Sequence, residues 1–425
     1  MRYIIRNATE EQVRKAGGRD IRVTRAGIFV TLTEEQRRIL ESQGAVVRKT
    51  GEVKAGQILL EEAPAAGITF SPVEISYTSG VEELRQLTTP PLTGEGVNIA
   101  VIGSGIRETH EQVGEVVYRK NYVEDEPHED LYDHETGVAS IIGAVAPGAK
   151  LLDLKVINKR GEGTDEDVVL ALDHLADLVD QGFEYAPNIV NLSLGGRDTG
   201  DPDDPMRVMC RELISRRVFV FAAVGNDGPY PGTVASPACE RYVFGVGSVD
   251  PIVSDTRITS FTISNFSSRG PTKEGLIKPD GIFFGRGLEV ASSKSDTATV
   301  VKSGTSFSCP FASGAFALFL EGERYWGGQQ PPSWWFMVSP LAIPYPLTPQ
   351  GLVDVFMPMI GVKPSDAPRG KDNDYGWGMP YGPLVLSRLR AQQQAGQVMD
   401  LGLNLIGLGM MGMLTIRMVK AVKGG

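Results

Sequence analysis

SGTSFSCPFASGAFALFL, residues 303–320, places Ser306 at the mouth of an apolar helix whose small residues Ala312, Ser313, Gly314 and Ala315 permit close packing. Upstream, VFVFAAVGNDGP at 218–229 is a β-branched and aromatic run that delivers Asn226 at its end, and NIVNLSLGG at 188–196 is a second run closing on a Gly pair. VNIAVIGSGI at 97–106 is a third, opening into a Gly-rich turn. Runs of this kind predict buried parallel strands. Between them, DHETGVASIIGAVAPGAKLLDLKVIN at 133–158 starts an apolar helix at His134, with Val138, Ile141 and Ile142 on one side, and then enters another buried strand. Open α/β sheets carry their sites at the carboxyl ends of the strands. The predicted fold is therefore α/β, with a central parallel sheet between helical layers.

These segments resemble the subtilisin (S8) family from about Gly94 to about Pro383. The family's serine motif G-T-S-x-[SA]-x-P stands here as Gly304-Thr305-Ser306-Phe307-Ser308-Cys309-Pro310, and its oxyanion Asn motif as Ala223-Val224-Gly225-Asn226. The substrate strand S-L-G matches Ser193-Leu194-Gly195, and the second rim of the cleft matches Gly161-Glu162-Gly163. FSSRGPTKEGLIKPDG (266–281), LTPQGLVDVF (347–356) and YGWG (375–378) extend the likeness. The resemblance implies a three-layer subtilisin-like fold. It also implies a serine endopeptidase working through an acyl-enzyme, with Ser306 as nucleophile, His134 as base, Asn226 on the oxyanion, and a peptide or protein substrate lying along Ser193, Leu194, Gly195, Gly161, Gly163, Ala223 and Gly225.

Two departures are specific. The family's first motif, D-[ST]-G, is Gly103-Ser104-Gly105, so the orienting carboxylate is absent, and H-G-T-H has become His134-Glu135-Thr136-Gly137. A serine hydroxyl needs an imidazole to take its proton, and that imidazole needs an acid to fix its tautomer. Loss of the acid costs roughly 10⁴-fold in turnover, or about 5 to 6 kcal/mol of transition-state stabilisation. Asp133 and Glu135 flank His134, but neighbours on a helix do not face each other, so neither is expected to reach the ring. Asp153 and Glu108 are unranked alternatives. The expectation is thus a slow, self-processing or partner-dependent peptidase in which Gly103→Asp raises hydrolysis. The competing reading is an inactive scaffold that binds peptide or builds an assembly.

Residues 1–75 read as a small module of alternating strands and helices: YII, TEEQVRKA, IRVTRAGIFVTL, TEEQRRIL and AVVRK, with capping boxes at Thr9/Gln12 and Thr33/Gln36. The pattern suggests a split βαβ, ferredoxin-like unit. It resembles the family's inhibitory prodomain, which implies that this module occupies the cleft and is cut away between residues 49 and 93. Residues 76–93 read as linker, 94–390 as the peptidase domain, and 391–425 as an apolar tail.

Within that tail, VMDLGLNLIGLGMMGMLTI (398–416) carries only Asp400 as a charge and is just long enough to cross a bilayer. A membrane anchor, a helix docking on a partner, and a buried helix of a homo-oligomer all fit, since its glycines favour close helix contact. The aromatic segment GERYWGGQQPPSWWFMVSPLAIPYP (322–346) fits either packing or partner contact through Trp326, Trp334 and Trp335. MRYIIRNATEEQ lacks the apolar core of a secretory signal, which predicts a cytoplasmic chain or one held at a membrane by its tail.

A formal net charge of −10 without a basic run argues against nucleic acid as partner. Cys210, Cys239 and Cys309 have no metal spacing, and His110, His128, His134 and His174 do not cluster in sequence. No cofactor is expected, although the resemblance leaves room for a structural calcium, whose carbonyl ligands leave little sequence trace.

Overall fold

The computed structural model describes residues 1–55, 69–72, 74, 81–86, 90–254, 257–326 and 348–379. The segments 327–346 and 391–425, with Trp334, Trp335 and the apolar tail, lie outside the described residues, as do residues 76–80 and 87–89 of the linker. Among the described residues no helix is long and apolar enough to cross a membrane.

The N-terminal module runs β1 (Arg2–Arg6), α1 (Glu10–Lys15), β2 (Arg19–Thr24), β3 (Gly27–Thr31), α2 (Glu34–Ser42) and β4 (Val46–Lys49), with sheet order β2-β3-β1-β4. Thr9 and Thr33 each accept from the backbone N–H three residues on, and Gln12 and Gln36 reach back to the cap, so both helices start on reciprocal capping boxes. IRVTRAGIFVTL is a hairpin rather than one strand. Gly27 turns the chain at φ 143°, and Ile28 and Val30 then bury with Ile5 and Val13, while Phe29 between them faces the opposite side. The strand continuing this module, β5 (Glu52–Ala55), leaves it altogether and joins the main body.

After the short helix α3 (Val81–Arg85), the main body begins with β6 (Asn98–Gly103), β7 (Val116–Asn121), α4 (Glu135–Val145), β8 (Lys150–Lys155), β9 (Glu162–Thr164) and α5 (Asp165–Asp180). It continues through β10 (Ile189–Leu192), β11 (Leu194–Gly195), α6 (Pro205–Ser215), β12 (Phe219–Ala223), β13 (Phe244–Ser254), β14 (Arg257–Ile263), β15 (Gly281–Phe284), β16 (Leu288–Ala291), β17 (Thr299–Lys302) and α7 (Thr305–Trp326). α7 thus carries the first residues of the aromatic segment as its last turn.

The central sheet has the order β14-β13-β12-β10-β6-β8-β7 with β15 beside β13, and every pairing is parallel except β13 with β14. A parallel sheet covered on both faces needs strands that are apolar throughout, which is how these runs read. Alternation then divides β6 between two cores. Ile99 and Val101 pack with α4 and α7, while Ala100 and Ile102 pack with α5 and α6.

The module docks through Ile4, Ala26 and Phe29, which share the core of α5 and α6, and by charge. Residues 1–55 hold twelve Lys and Arg against seven Asp and Glu in a chain that is acidic overall. Arg25 bonds Asp173 at 2.8 Å and Asp177 at 2.7 Å, Arg48 bonds Asp204 at 3.0 Å, and Arg2 Nε bonds Glu166 at 2.6 Å. At the same interface Gly51 N–H donates to Asp165 at 2.6 Å. Burial, helped by Asp204 and opposed by the Gly51 N–H and Arg48, pushes the Asp165 carboxyl up to about 6. A carboxyl raised above its unfolded value contributes stability that is complete below about pH 4 and lost as pH rises through about 6. In a Ser306→Ala background that keeps the chain whole, Asp165→Asn is expected to remove that drop, gaining about 2 to 3 kcal/mol relative to its parent between pH 4 and pH 7. Chemical denaturation at the two pH values measures it.

Candidate active site

Ser306 is the second residue of α7 and is buried, as are His134 and Glu135. Its position rests on local pairing. Gly304 takes φ 147°, a conformation that L side chains rarely adopt, and a Cβ there would crowd the Asn226 amide. The next residue, Thr305, donates to Asn226 Oδ1 from both its N–H and its hydroxyl at 2.9 Å. With its oxygen so committed, the Asn226 amide has Nδ2 as its donor end. Pro310 lacks the N–H that would bond the Ser306 carbonyl, and Ser193 Oγ donates to that carbonyl instead at 2.8 Å. In return Ser306 Oγ donates to the Ser193 carbonyl at 3.0 Å. The sheet's β10 tip and the mouth of α7 are thereby tied to each other.

His134 stands just outside α4, as its N-cap, with φ −126° and ψ −59°. The rule that adjacent helical side chains diverge does not apply across that boundary, and Glu135 Oε2 lies 2.7 Å from His134 Nδ1. The expectation that no flanking acid reaches the ring is therefore overturned by the non-helical backbone of His134. The same Oε2 accepts from Ser104 N at 3.0 Å and lies 2.8 Å from Ser104 Oγ. Burial pushes the Glu135 carboxyl up, but the His134 charge and the bonds from His134 and Ser104 outweigh it and leave the group below its ordinary value.

The other candidate acids are committed elsewhere. Asp133, at φ 60°, turns away to Ser293 N at 2.6 Å and Ser292 Oγ at 2.9 Å. Asp153 holds Ile106 N at 3.0 Å and lies 2.9 Å from His128, while Glu108 bonds Arg119 at 3.1 Å. His134 Nε2 is buried and makes no hydrogen bond among the described residues. The His134 ring lies 5.2 Å from that of Phe307, the residue after Ser306.

Asp130 and Ser104 carry the site and were not singled out from sequence. Asp130 accepts from the N–H groups of His134 and Thr136 and from Thr136 Oγ1, serving the free donors at the start of α4, and Ser104 Oγ lies 2.6 Å from it. Burial holds the Asp130 carboxyl up against the Ser104 and Thr136 bonds. The clue in the sequence is only Asp130's position four residues before His134.

The substrate-strand residues come together as a cleft. β5 pairs antiparallel with β11 on one edge (Ala55 with Leu194, Lys54 with Gly195) and with β9 on the other (Val53 with Gly163). Ala55 N–H donates to the Gly161 carbonyl at 3.1 Å. Val53 and Ala55 are buried while Glu52 and Lys54 face solvent, as a strand's alternation requires. Beside β5, whose Glu52, Lys54 and Ala55 form part of its wall, a cavity of about 580 Å³ is lined by Leu194, Gly195, Ala223, Gly225, Asn226, Thr305 and Ser306, among others. Cys210, Cys239 and Cys309 are buried free thiols, and no group of three metal-ligating side chains occurs among the described residues.

A buried serine at a helix mouth, an imidazole backed by a carboxylate, and a cleft that accepts a strand on both edges are the parts of a candidate serine-hydrolase site on a parallel sheet. The subtilase family model matches residues 94–378, and the chain belongs to that family. Similar proteins include the serine protease AprX of Bacillus subtilis, 31% identical over 262 residues that cover 54% of this chain and 58% of AprX. The membrane-bound transcription factor site-1 protease of Mus musculus is 29% identical over 261 residues, covering 59% of this chain and 23% of that one. The match therefore spans little more than half of AprX and about a quarter of the mouse protease. Sphericase shares the fold with a TM-score of 0.54 and 21% identity, covering 72% of this chain and 97% of its own.

Proposed function

We propose that this chain is a serine endopeptidase that cuts its own backbone shortly after β5, releasing the N-terminal module from the cleft. One observation carries the reading: β5 lies between β11 and β9 as an added strand, the way extended peptides bind a sheet edge, and its carboxyl end leads toward the cavity that Ser306 lines. Ser306 Oγ attacks the carbonyl that follows, and its proton passes to His134 Nε2. Asn226 Nδ2 holds the oxyanion, the C–N bond breaks, and the amine leaves with the proton from His134. Water then hydrolyses the acyl-enzyme. Peptides and proteins that enter the emptied cleft are its substrates.

Intact mass and N-terminal sequencing of the purified chain test this. A new N-terminus a few residues beyond Ala55 is expected, together with labelling of Ser306 by a fluorophosphonate in the trimmed protein. A chain that stays whole and unlabelled overturns it. A second reading, a protein that holds peptide without cutting it, is favoured by the Ser306 hydroxyl pointing at Ser193 O rather than at His134. It predicts no labelling even after the module is removed by an added protease.

A further inference from the structure

We propose that Glu135 is the acid of this active site, a positioning residue that holds His134 through Nδ1, and that Gly103 is the vacated place that makes room for it. The inference rests on the peptidase reading above, but part of its test does not depend on turnover.

The geometry is reciprocal. Glu135 Oε2 sits 2.7 Å from His134 Nδ1, and the Ser104 N–H at the end of β6 donates to the same oxygen at 3.0 Å. A Cβ placed on Gly103 would fall inside the van der Waals envelope of the Glu135 side chain, meeting its Cδ, Oε1 and Cγ. The volume that an acid on residue 103 would need is thus filled by an acid from residue 135, and only glycine at 103 leaves it free. An acid in that place orients the ring and stabilises the imidazolium formed when Ser306 gives up its proton.

The supports of Glu135 are themselves buried and bonded. The Glu135 N–H donates to Ser104 Oγ at 3.2 Å, and Asp130 anchors the N–H groups of His134 and Thr136 on either side. These contacts hold His134 as the N-cap, the backbone state that lets two consecutive side chains face each other. The two departures from the family motif, Asp to Gly at 103 and Gly to Glu at 135, are then one exchange. The site keeps a nucleophile, a base and an acid.

The consequences invert the expectation drawn from motif alone. Gly103→Asp on its own is expected to lower turnover at least 100-fold, because the new side chain and Glu135 compete for one space. Glu135→Ala should lower kcat by about 10³- to 10⁴-fold with KM little changed. Glu135→Gln, which keeps the shape and drops the charge, should lose at least 100-fold and guards against a folding failure of the alanine variant. The double variant Gly103→Asp/Glu135→Ala should recover at least 100-fold over either single one.

A rise in activity with Gly103→Asp alone overturns the proposal, as does a Glu135→Ala enzyme within tenfold of its parent or a double variant no better than the singles. The second measurement is the proton spectrum of the histidines in the uncut Ser306→Ala chain, where hydrolysis plays no part. A downfield His134 Nδ1–H resonance is expected, absent in Glu135→Ala and restored in the double variant. A resonance indifferent to Glu135 refutes the inference. Its presence, together with a parent chain (Ser306 intact) that never cuts and is never labelled, leaves the inference standing and sinks the peptidase reading instead.

Discussion

Ser306→Ala is expected to leave the 425-residue chain whole, with the N-terminal module docked indefinitely, while the parent sheds it. The nucleophile has no substitute. Its neighbour Ser308 donates to the Thr305 carbonyl at 2.9 Å and lies buried inside the helix, and Cys309 is a buried thiol that desolvation keeps protonated. Removing the serine of such a triad lowers turnover by roughly 10⁶-fold, so self-cleavage complete within minutes in the parent would take years in the variant. The structural cost is small. The Ser193 carbonyl loses one donor, about 1 kcal/mol. Intact mass over time reads the first effect and thermal denaturation the second. Trimming of the variant at the parent's rate would show that the cut is made by another protease.

Asp280→Ala is expected to be the most damaging single change outside the site. Asp280 is wholly buried, and it accepts from Gly245 N at 2.8 Å, Lys278 Nζ at 2.5 Å and Lys371 Nζ at 2.5 Å. Lys278 is equally buried, and among the described residues its further partners are the Val243 carbonyl at 2.6 Å and the more distant Arg241 carbonyl. Burial pulls the Lys278 ammonium down and Asp280 pulls it back up. Taking away the carboxylate strands a buried charge and a strand N–H between β13 and β15, at a cost of about 3 to 5 kcal/mol. Replacing both buried partners, as Lys278→Met/Asp280→Ala, removes the wholly buried charge and leaves only the half-buried Lys371 ammonium without Asp280, so it is expected to cost less than Asp280→Ala alone. Denaturant unfolding of the three chains in the Ser306→Ala background measures both; equal losses would mean that the pair contributes only through its packing.

Much of this fold was legible in one dimension. Strands buried on both faces read as continuous apolar runs, and β6, β10 and β12 do so because each of their faces meets a helix layer. The capping boxes at Thr9 and Thr33 were readable because capping is local, satisfied within four residues. The hairpin in IRVTRAGIFVTL was missed because its turn, Arg25-Ala26-Gly27, has weak turn chemistry. That turn is held by contacts outside the strand pair, including Arg25 on Asp173, Asp177 and Asp180 of α5.

Ser306, His134, Asn226 and the cleft residues could be named because each sits in a short motif that resembles one of the subtilisin family's. The sequence by itself therefore determined the α/β sheet and the order of its strands' site-bearing ends, and its resemblance to the subtilisin family marked the candidate serine and imidazole. Tertiary structure alone decided two things. β5 leaves its module and enters the cleft between β11 and β9, because strand pairing is non-local and any extended segment of suitable alternation can compete for those edges. Glu135 meets His134 because Asp130, in the loop before α4, and Ser104, at the end of β6, bond the backbone around His134 and hold that N-cap residue in a non-helical conformation. A hydrogen bond between neighbours in sequence was thus hidden by the rule for helices, and only the packing around Gly103 shows where the carboxylate goes.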